Sequence, residues 1–236
     1  MAVKSVAQAR NRLAFLVAEA VLIVLSILLA FAIDAAWNGR QEAEQRVQLL
    51  RAMHTDFAAT SEDLDQAIDH GETVVARTGG YLRAARLRSD IPRDSLAFLF
   101  SGVDGVAFFE PTVASYRTAL STGSIELARS PPLIAALTEF DFAERLYQLH
   151  LEVSADLYYM GPLQDLRRAG VVLDDPEIRE AQMSVSVPSS FDLFSTLAVS
   201  SAEPLYTVQV NMLLNLQDMR AAARRVTTAL DSLLAN

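Results

Sequence analysis

The 236-residue chain has no cysteine, a single lysine (Lys4), one tryptophan (Trp37) and three histidines. Without cysteine there is no disulfide scaffold and no thiol catalysis, so a domain outside the cytoplasm would be held by packing alone. His54, His70 and His150 stand apart, with no H-E-x-x-H and no second ligand at helical spacing. Neither a metal nor a cofactor is expected from that pattern. The chain also lacks a G-x-S-x-G elbow, a Walker A loop, a Rossmann glycine pattern and an EF-hand loop. "TEFDFAE" (138–144) carries three acids on a helix, which is too little to argue a carboxylate dyad. The expectation is a protein that is not an enzyme. Basic residues are scarce too: from Ala35 onward 17 Arg stand against 27 Asp or Glu, a balance of −10. Nucleic acid, which wants a basic footprint, is excluded as a partner.

What is present is one long apolar run. Leu13–Ile33 is 21 residues, broken only by Glu19 and Ser26, and fourteen of them are Leu, Ile, Val or Phe. As a helix it is about 31 Å long, enough to cross a bilayer core. Its apolar residues contribute on the order of −6 kcal/mol to insertion, against roughly +3 for one central charge. The segment is therefore expected to be a transmembrane helix despite Glu19. A cleaved signal peptide competes, with Lys4, Arg10 and Arg12 as a positive start and "AFA" (30–32) as a cleavage site. The run is longer than a signal peptide's apolar region, which favours an uncleaved anchor. The acid-free basic segment before it predicts a cytoplasmic N-terminus in a bacterial inner membrane, with the rest of the chain periplasmic.

An intramembrane carboxylate wants a partner, so Glu19, with Ser26, is the candidate contact to another chain within the membrane. Trp37 is an interface anchor, and Asp34 marks the same boundary. Beyond the span, Ala43, Val47, Leu50, Met53, Phe57, Leu64 and Ile68 recur at steps of three, four and seven, one packing stripe on a helix. The expected fold is all-α: a cytoplasmic N-terminus (1–12), the span (13–33), a stalk helix (34–88) and a periplasmic helical bundle (89–236) packing back on the stalk. The stalk is expected to reach about Gly79-Gly80, with "YLRAARLR" extending or restarting it. Asp90 and Pro92 predict a helix start, and Pro111 another that ends at Gly123. Pro131-Pro132 opens a long helix ended or kinked at Gly161-Pro162. Asp174 or Asp175 would cap a short helix, "MSVSVPSSFDLFSTLAVSS" (183–201) allows a short extended piece, and a last amphipathic helix is expected from Glu203-Pro204 to Leu234. Acids crowd residues 56–72 and arginines 77–93; the segregation suits either a solvated acidic face or two complementary docking surfaces.

The run "AEAVLIVLSILLAFAIDAAWNGRQEAEQ" resembles a widespread family of uncharacterised bacterial single-span membrane proteins. They carry a Glu early in the span and an I-L-x-A-x-x-I-[ND]-x-x-W exit, matched here by Glu19, Ile27, Leu28, Ala30, Ile33, Asp34 and Trp37. A second signature, a Pro, a Tyr and S-x-G before a short helix, is matched by Pro111, Tyr116, Ser121 and Gly123. Ala18 departs from the glycine expected beside the Glu. The resemblance implies a membrane protein and brings no activity.

The function these features favour is a non-catalytic accessory subunit of a larger inner-membrane complex, with the lipid bilayer and other membrane subunits as partners. Respiratory and photosynthetic complexes are instances, and an added subunit of a reaction-centre and antenna complex is the particular one considered, although no residue selects it. No His lies in the span, so such a subunit would be structural and not pigment-binding. The alternative is a self-associating periplasmic stalk or sensor with the 43–68 stripe as its seam. Thr60 and Ser61 stand where a coiled coil wants Leu, and only about twelve residues precede the span. A periplasmic enzyme is the third reading, without a constellation to carry it.

Overall fold

A computed structural model describes residues 2–128, 130–173 and 185–235; for residues 2–21, 23, 127, 128, 158, 159 and 173 it describes the backbone alone. The fold is all-α. Among the described residues six helices follow one another: α1 (Ala2–Arg86), α2 (Arg93–Phe100), α3 (Ala114–Thr122), α4 (Pro131–Met160), α5 (Pro162–Arg168) and α6 (Thr196–Leu234). Two 3-10 turns, Ser101–Asp104 and Ser124–Ala128, join them, and one antiparallel pair of two-residue strands, β1 (Val172–Leu173) and β2 (Val185–Ser186), sets Val172 opposite Ser186. That pair is the extended piece expected near residue 185. The helix expected after Asp174 or Asp175 lies outside the described residues.

The chain divides into two compact units, Met1–Leu49 and Leu50–Asn236. In the first, Leu22, Val24, Leu25, Ile27, Leu28, Leu29, Phe31 and Ile33 are each more than half exposed. Among the described residues no helix is long and apolar enough to cross a membrane. The run from Leu13 to Ile33 includes residues 13–21 and 23, whose side chains are outside the described ones.

In the second unit α6 runs antiparallel to both α1 and α4. His54 pairs with Asp231 near the start of the part of α1 that lies in this unit, and Arg86 with Glu203 at the end of the helix, at 3.0 and 2.7 Å. Glu139 of α4 pairs with Arg225, and His150 meets Asn215. The α1 stripe is the inner wall. Leu50, Met53, Phe57, Leu64 and Ile68 are buried, and Phe57 meets the Phe140 ring edge-on at 5.1 Å and that of Tyr116 at 6.2 Å. Thr60, a polar residue in this apolar row, is fully buried because its Oγ1 donates to the Thr112 carbonyl at 2.9 Å. A second cluster around Tyr81, Phe100, Leu163, Leu166 and Leu193 closes the other end.

Three helix boundaries differ from expectation, each for a local reason. α1 is not among them: it passes through Gly79-Gly80 and is extended by "YLRAAR", one of the two alternatives expected, and those glycines serve close packing, since an added Cβ would sit 3.0 Å from the Tyr206 ring and 3.1 Å from Leu99. The helix ends instead in a Schellman turn, Ser89 N–H to Ala84 O and Arg88 N–H to Ala85 O, with Arg88 held at φ 45° in the left-handed position usually given to glycine. α2 starts one residue after Pro92 and not after Asp90, since a tight turn bonds Ile91 N–H to Ser89 O. α6 starts at Thr196, ahead of Pro204, because Ser195 supplies a cap that accepts from Ala198 N–H. Proline costs an interior helix one hydrogen bond, and the packed Leu205, Val208 and Met212 beyond it hold the helix. α3 starts at Ala114 and not at Pro111, with Thr60 holding the Thr112 carbonyl and Asp56 accepting from Ser115 N–H. Ser130 caps α4 with Pro131-Pro132 in its first turn, and Gly123 closes α3 at φ 76°, both as expected.

Phe57→Ala should destabilise the fold by about 3–5 kcal/mol, the usual cost of removing a buried ring. Urea unfolding of the full chain in mild detergent, followed by circular dichroism, measures it; an unchanged midpoint would contradict the packing of α1 on α3 and α4.

Candidate functional site

The residues read as functional fall into three places. Glu19 lies on α1, and its side chain is outside the described ones. Ser26 donates its hydroxyl to the Leu22 carbonyl at 2.8 Å, which satisfies it within the helix and leaves the oxygen's other lone pair to accept a bond. Trp37 is 68 % exposed. One turn away Asn38 donates to Asp34 at 3.4 Å. Val47, first of the stripe residues, is 38 % exposed, whereas Leu50 to Ile68 form the inner wall already described. Side chains buried inside one chain cannot also serve as a seam for a second one.

The acids singled out by the sequence act as clamps between helices. Asp56 accepts from both the N–H and the hydroxyl of Ser115, at 2.8 and 2.7 Å, and so fixes the start of α3. Asp65 receives Arg220 at 3.1 Å and Arg224 at 3.3 Å. The acidic run thus docks on a complementary surface at that position, while Glu62, Asp63, Asp69 and Glu72 stay in solvent. In "TEFDFAE" each acid goes to a different partner: Glu139 to Arg225, Asp141 to the Tyr116 hydroxyl at 2.7 Å, and Glu144 to Arg117 at 2.5 Å. Burial pushes the Glu144 carboxyl above its ordinary range, and Arg117 pulls it part of the way back. Asp141 lies near enough to raise Glu144 further, yet each is engaged by its own partner, the Tyr116 hydroxyl and Arg117.

Tyr81 and Tyr147, which no sequence pattern singles out, hold the irregular segments, while Tyr116 bonds Asp141 as above. Tyr81 donates to Leu193 O at 2.7 Å. Tyr147 donates to Ala107 O at 2.7 Å and accepts from Phe109 N–H at 2.8 Å, closing the connection between α2 and α3 onto α4. Burial raises all three phenols, that of Tyr147 to about 12. Gln209 does similar work from α6, donating to the carbonyls of Gly102 and Gly105.

A cleft of about 620 Å³ lies between the end of α1 and the start of α6 and includes Arg83, Arg86, Glu203 and Tyr206. Arg86 is neutralised there by Glu203. The C-terminal turn of α1 also adds carbonyl dipoles that oppose an anion. A shallower cleft of about 360 Å³ gathers Asp63, His70 and Glu110 beside Phe108. Among the described residues no three His, Asp or Glu side chains are grouped to hold a metal ion.

No family model matches the chain, and neither a curated protein nor a solved structure gives a significant match.

Alkaline unfolding follows from the tyrosines. An unfolded tyrosine ionises near 10, and the buried ones ionise later, so the unfolded state loses its protons first. The stability contributed by burying neutral Tyr147 is therefore complete below about pH 10 and is lost between about pH 10 and 12. Phenolate absorbance recorded with helical circular dichroism should show the two rising and falling together. Tyr147→Phe should cost about 1–3 kcal/mol at neutral pH by stranding Phe109 N–H and Ala107 O; free titration near pH 10 with the helices intact would contradict the burial.

Proposed function

We propose that the chain is a non-catalytic accessory subunit of a bacterial inner-membrane assembly, anchored by residues 13–33 with the helical unit in the periplasm. The observation that carries this reading is the row of large apolar side chains from Leu22 to Ile33, each described one more than half exposed. A contiguous apolar surface of that kind needs cover from lipid or protein. Glu19 within the same run adds the need for a polar partner, which hydrocarbon cannot supply. Lys4, Arg10 and Arg12 ahead of it support the orientation. The engagement of Asp56, Asp65, Glu139, Asp141 and Glu144 in interhelical contacts supports a role in assembly over one in chemistry. The likeness of Glu19–Trp37 to single-span membrane proteins belongs to the same proposal, as does a respiratory or photosynthetic complex as the setting.

Carbonate-washed membranes should retain the full chain, and alkaline phosphatase fused to its C-terminus should be active. Purification in mild detergent should bring down other subunits in fixed ratio. Glu19→Leu should stay in the membrane yet lose much of that company. Release of the chain by carbonate would overturn the anchor, and elution without other subunits would overturn the accessory role.

A further inference from the structure

The connection between α2 and α3 holds one large ring out of the core. Tyr147 donates to Ala107 O and accepts from Phe109 N–H, which pins the backbone on both sides of Phe108. Ala107 and Phe109 are buried, with the Phe109 ring meeting that of Tyr147 at 6.4 Å, whereas Phe108 between them is 67 % exposed. Gly71 lets this connection lie close to α1, since an added Cβ would come within 3.3 Å of Ala107 Cβ. Phe108 and Glu110 therefore stand beside Asp63, Gln66 and His70 of α1, around the cleft of about 360 Å³. Asp63 and Glu110 are both exposed, and among the described residues neither has an ion-pair or hydrogen-bond partner. Asp56 and Asp65 on the same helix, by contrast, are taken up by Ser115 and by arginines of α6.

We infer that this cleft docks an arginine side chain of a partner protein, its guanidinium lying against Phe108 and donating to Asp63 and Glu110. Each part of the site fits that group. A guanidinium is planar, stacks on an aromatic face and carries a fork of donors that carboxylates can share. The incoming charge displaces no cation of the described residues, because both acids are open. A lysine ammonium would meet the acids but could not lie flat on the ring. A metal ion wants more oxygen ligands than two carboxylates supply, and among the described residues no three acidic or His side chains are grouped to hold one. The chain uses both halves of this recognition within itself. The Arg77 guanidinium lies 4.6 Å over the Phe98 ring, and Asp65 receives Arg220 and Arg224. Arginine and large aromatic side chains are also the usual anchors of protein interfaces.

The test uses the full chain in detergent with isotope-labelled histidine, because His70 lines the cleft while His54 and His150 lie against α6. The probe is the peptide acetyl-Gly-Arg-Gly-amide, compared with its lysine and citrulline counterparts; citrulline keeps the shape of arginine without its charge. The arginine peptide should shift the His70 resonance saturably and leave those of His54 and His150 in place. The lysine peptide should bind several-fold more weakly, and the citrulline peptide should leave His70 unmoved. Asp63→Asn or Glu110→Gln should weaken the arginine peptide by about ten-fold, as loss of a charge-assisted hydrogen bond does. Phe108→Ala should weaken it by about two- to five-fold. Asp69→Asn, which neutralises an exposed acid of α1 outside the cleft, should change little. A His70 resonance that does not move overturns the inference, as does lysine or citrulline binding as tightly as arginine. Asp69→Asn acting as strongly as Asp63→Asn, or Phe108→Ala binding like the parent chain, also overturns it. Loss of the chain from washed membranes would sink the anchor and leave this docking site standing.

Discussion

Everything in the helical unit follows from the need to cover one row of side chains on α1. Leu50, Met53, Phe57, Leu64 and Ile68 face one way along five turns, and no single helix can cover them. α4 and α6 do so together, with Phe140 seated on Phe57 and the Asp65 arginines crossing from α6. α1, α4 and α6 must then be linked by stretches of chain that have few backbone partners of their own. The hydroxyls of Tyr81, Tyr147 and Thr60 and the Gln209 amide supply them, each reaching from a helix to a carbonyl in a connection. The core and the loops are thus held by one set of residues: apolar rings carrying polar tips, and small polar side chains in the apolar row.

The pairing of charges decides which way those helices run. Acids on the first half of the packed α1 and arginines on the second half of α6 can meet only if the helices are antiparallel. That direction brings Asp65 to Arg220 and Arg224, His54 to Asp231, and Arg86 to Glu203. These groups are substantially exposed, and such pairs typically add under about 1 kcal/mol each. Their role is register. A slip of one turn would set Asp69 near Arg220 and leave the glycine at 79 no longer under Tyr206, where there is room for nothing larger.

The helical class, the stripe from Leu50 to Ile68 and the start of α4 were legible because each is a local pattern: a 3.6-residue period, or Ser-Pro-Pro at a helix start. Two readings misled by being local as well. Pro111 and Pro204 look like helix starts; α3 begins at Ala114, beyond the first, and α6 at Thr196, ahead of the second, where Ser195 supplies the cap. The partners of the acids could not be read at all. Asp65 and Arg220 are 155 residues apart, and Tyr147 and Ala107 are 40 apart; only the packed helices bring them together. The acidic run was visible in the sequence, but whether it met water or arginine depended on helix direction.

Two apolar surfaces remain that the fold itself does not use. On α1 it is the row from Leu22 to Ile33, and on α4 the row from Phe142 to Met160. Their chemistry differs. The first has no charged side chain over twelve residues, so it suits a medium without charges to offer. The second is bordered by Arg145, Glu152 and Asp156, which lipid could not satisfy and which a protein helix could. A chain that buries Phe57, Phe140 and Tyr147 so completely can cover apolar surface when stability requires it. Under the proposed membrane anchor the first row meets lipid, while the second faces outward beside charges that lipid does not satisfy.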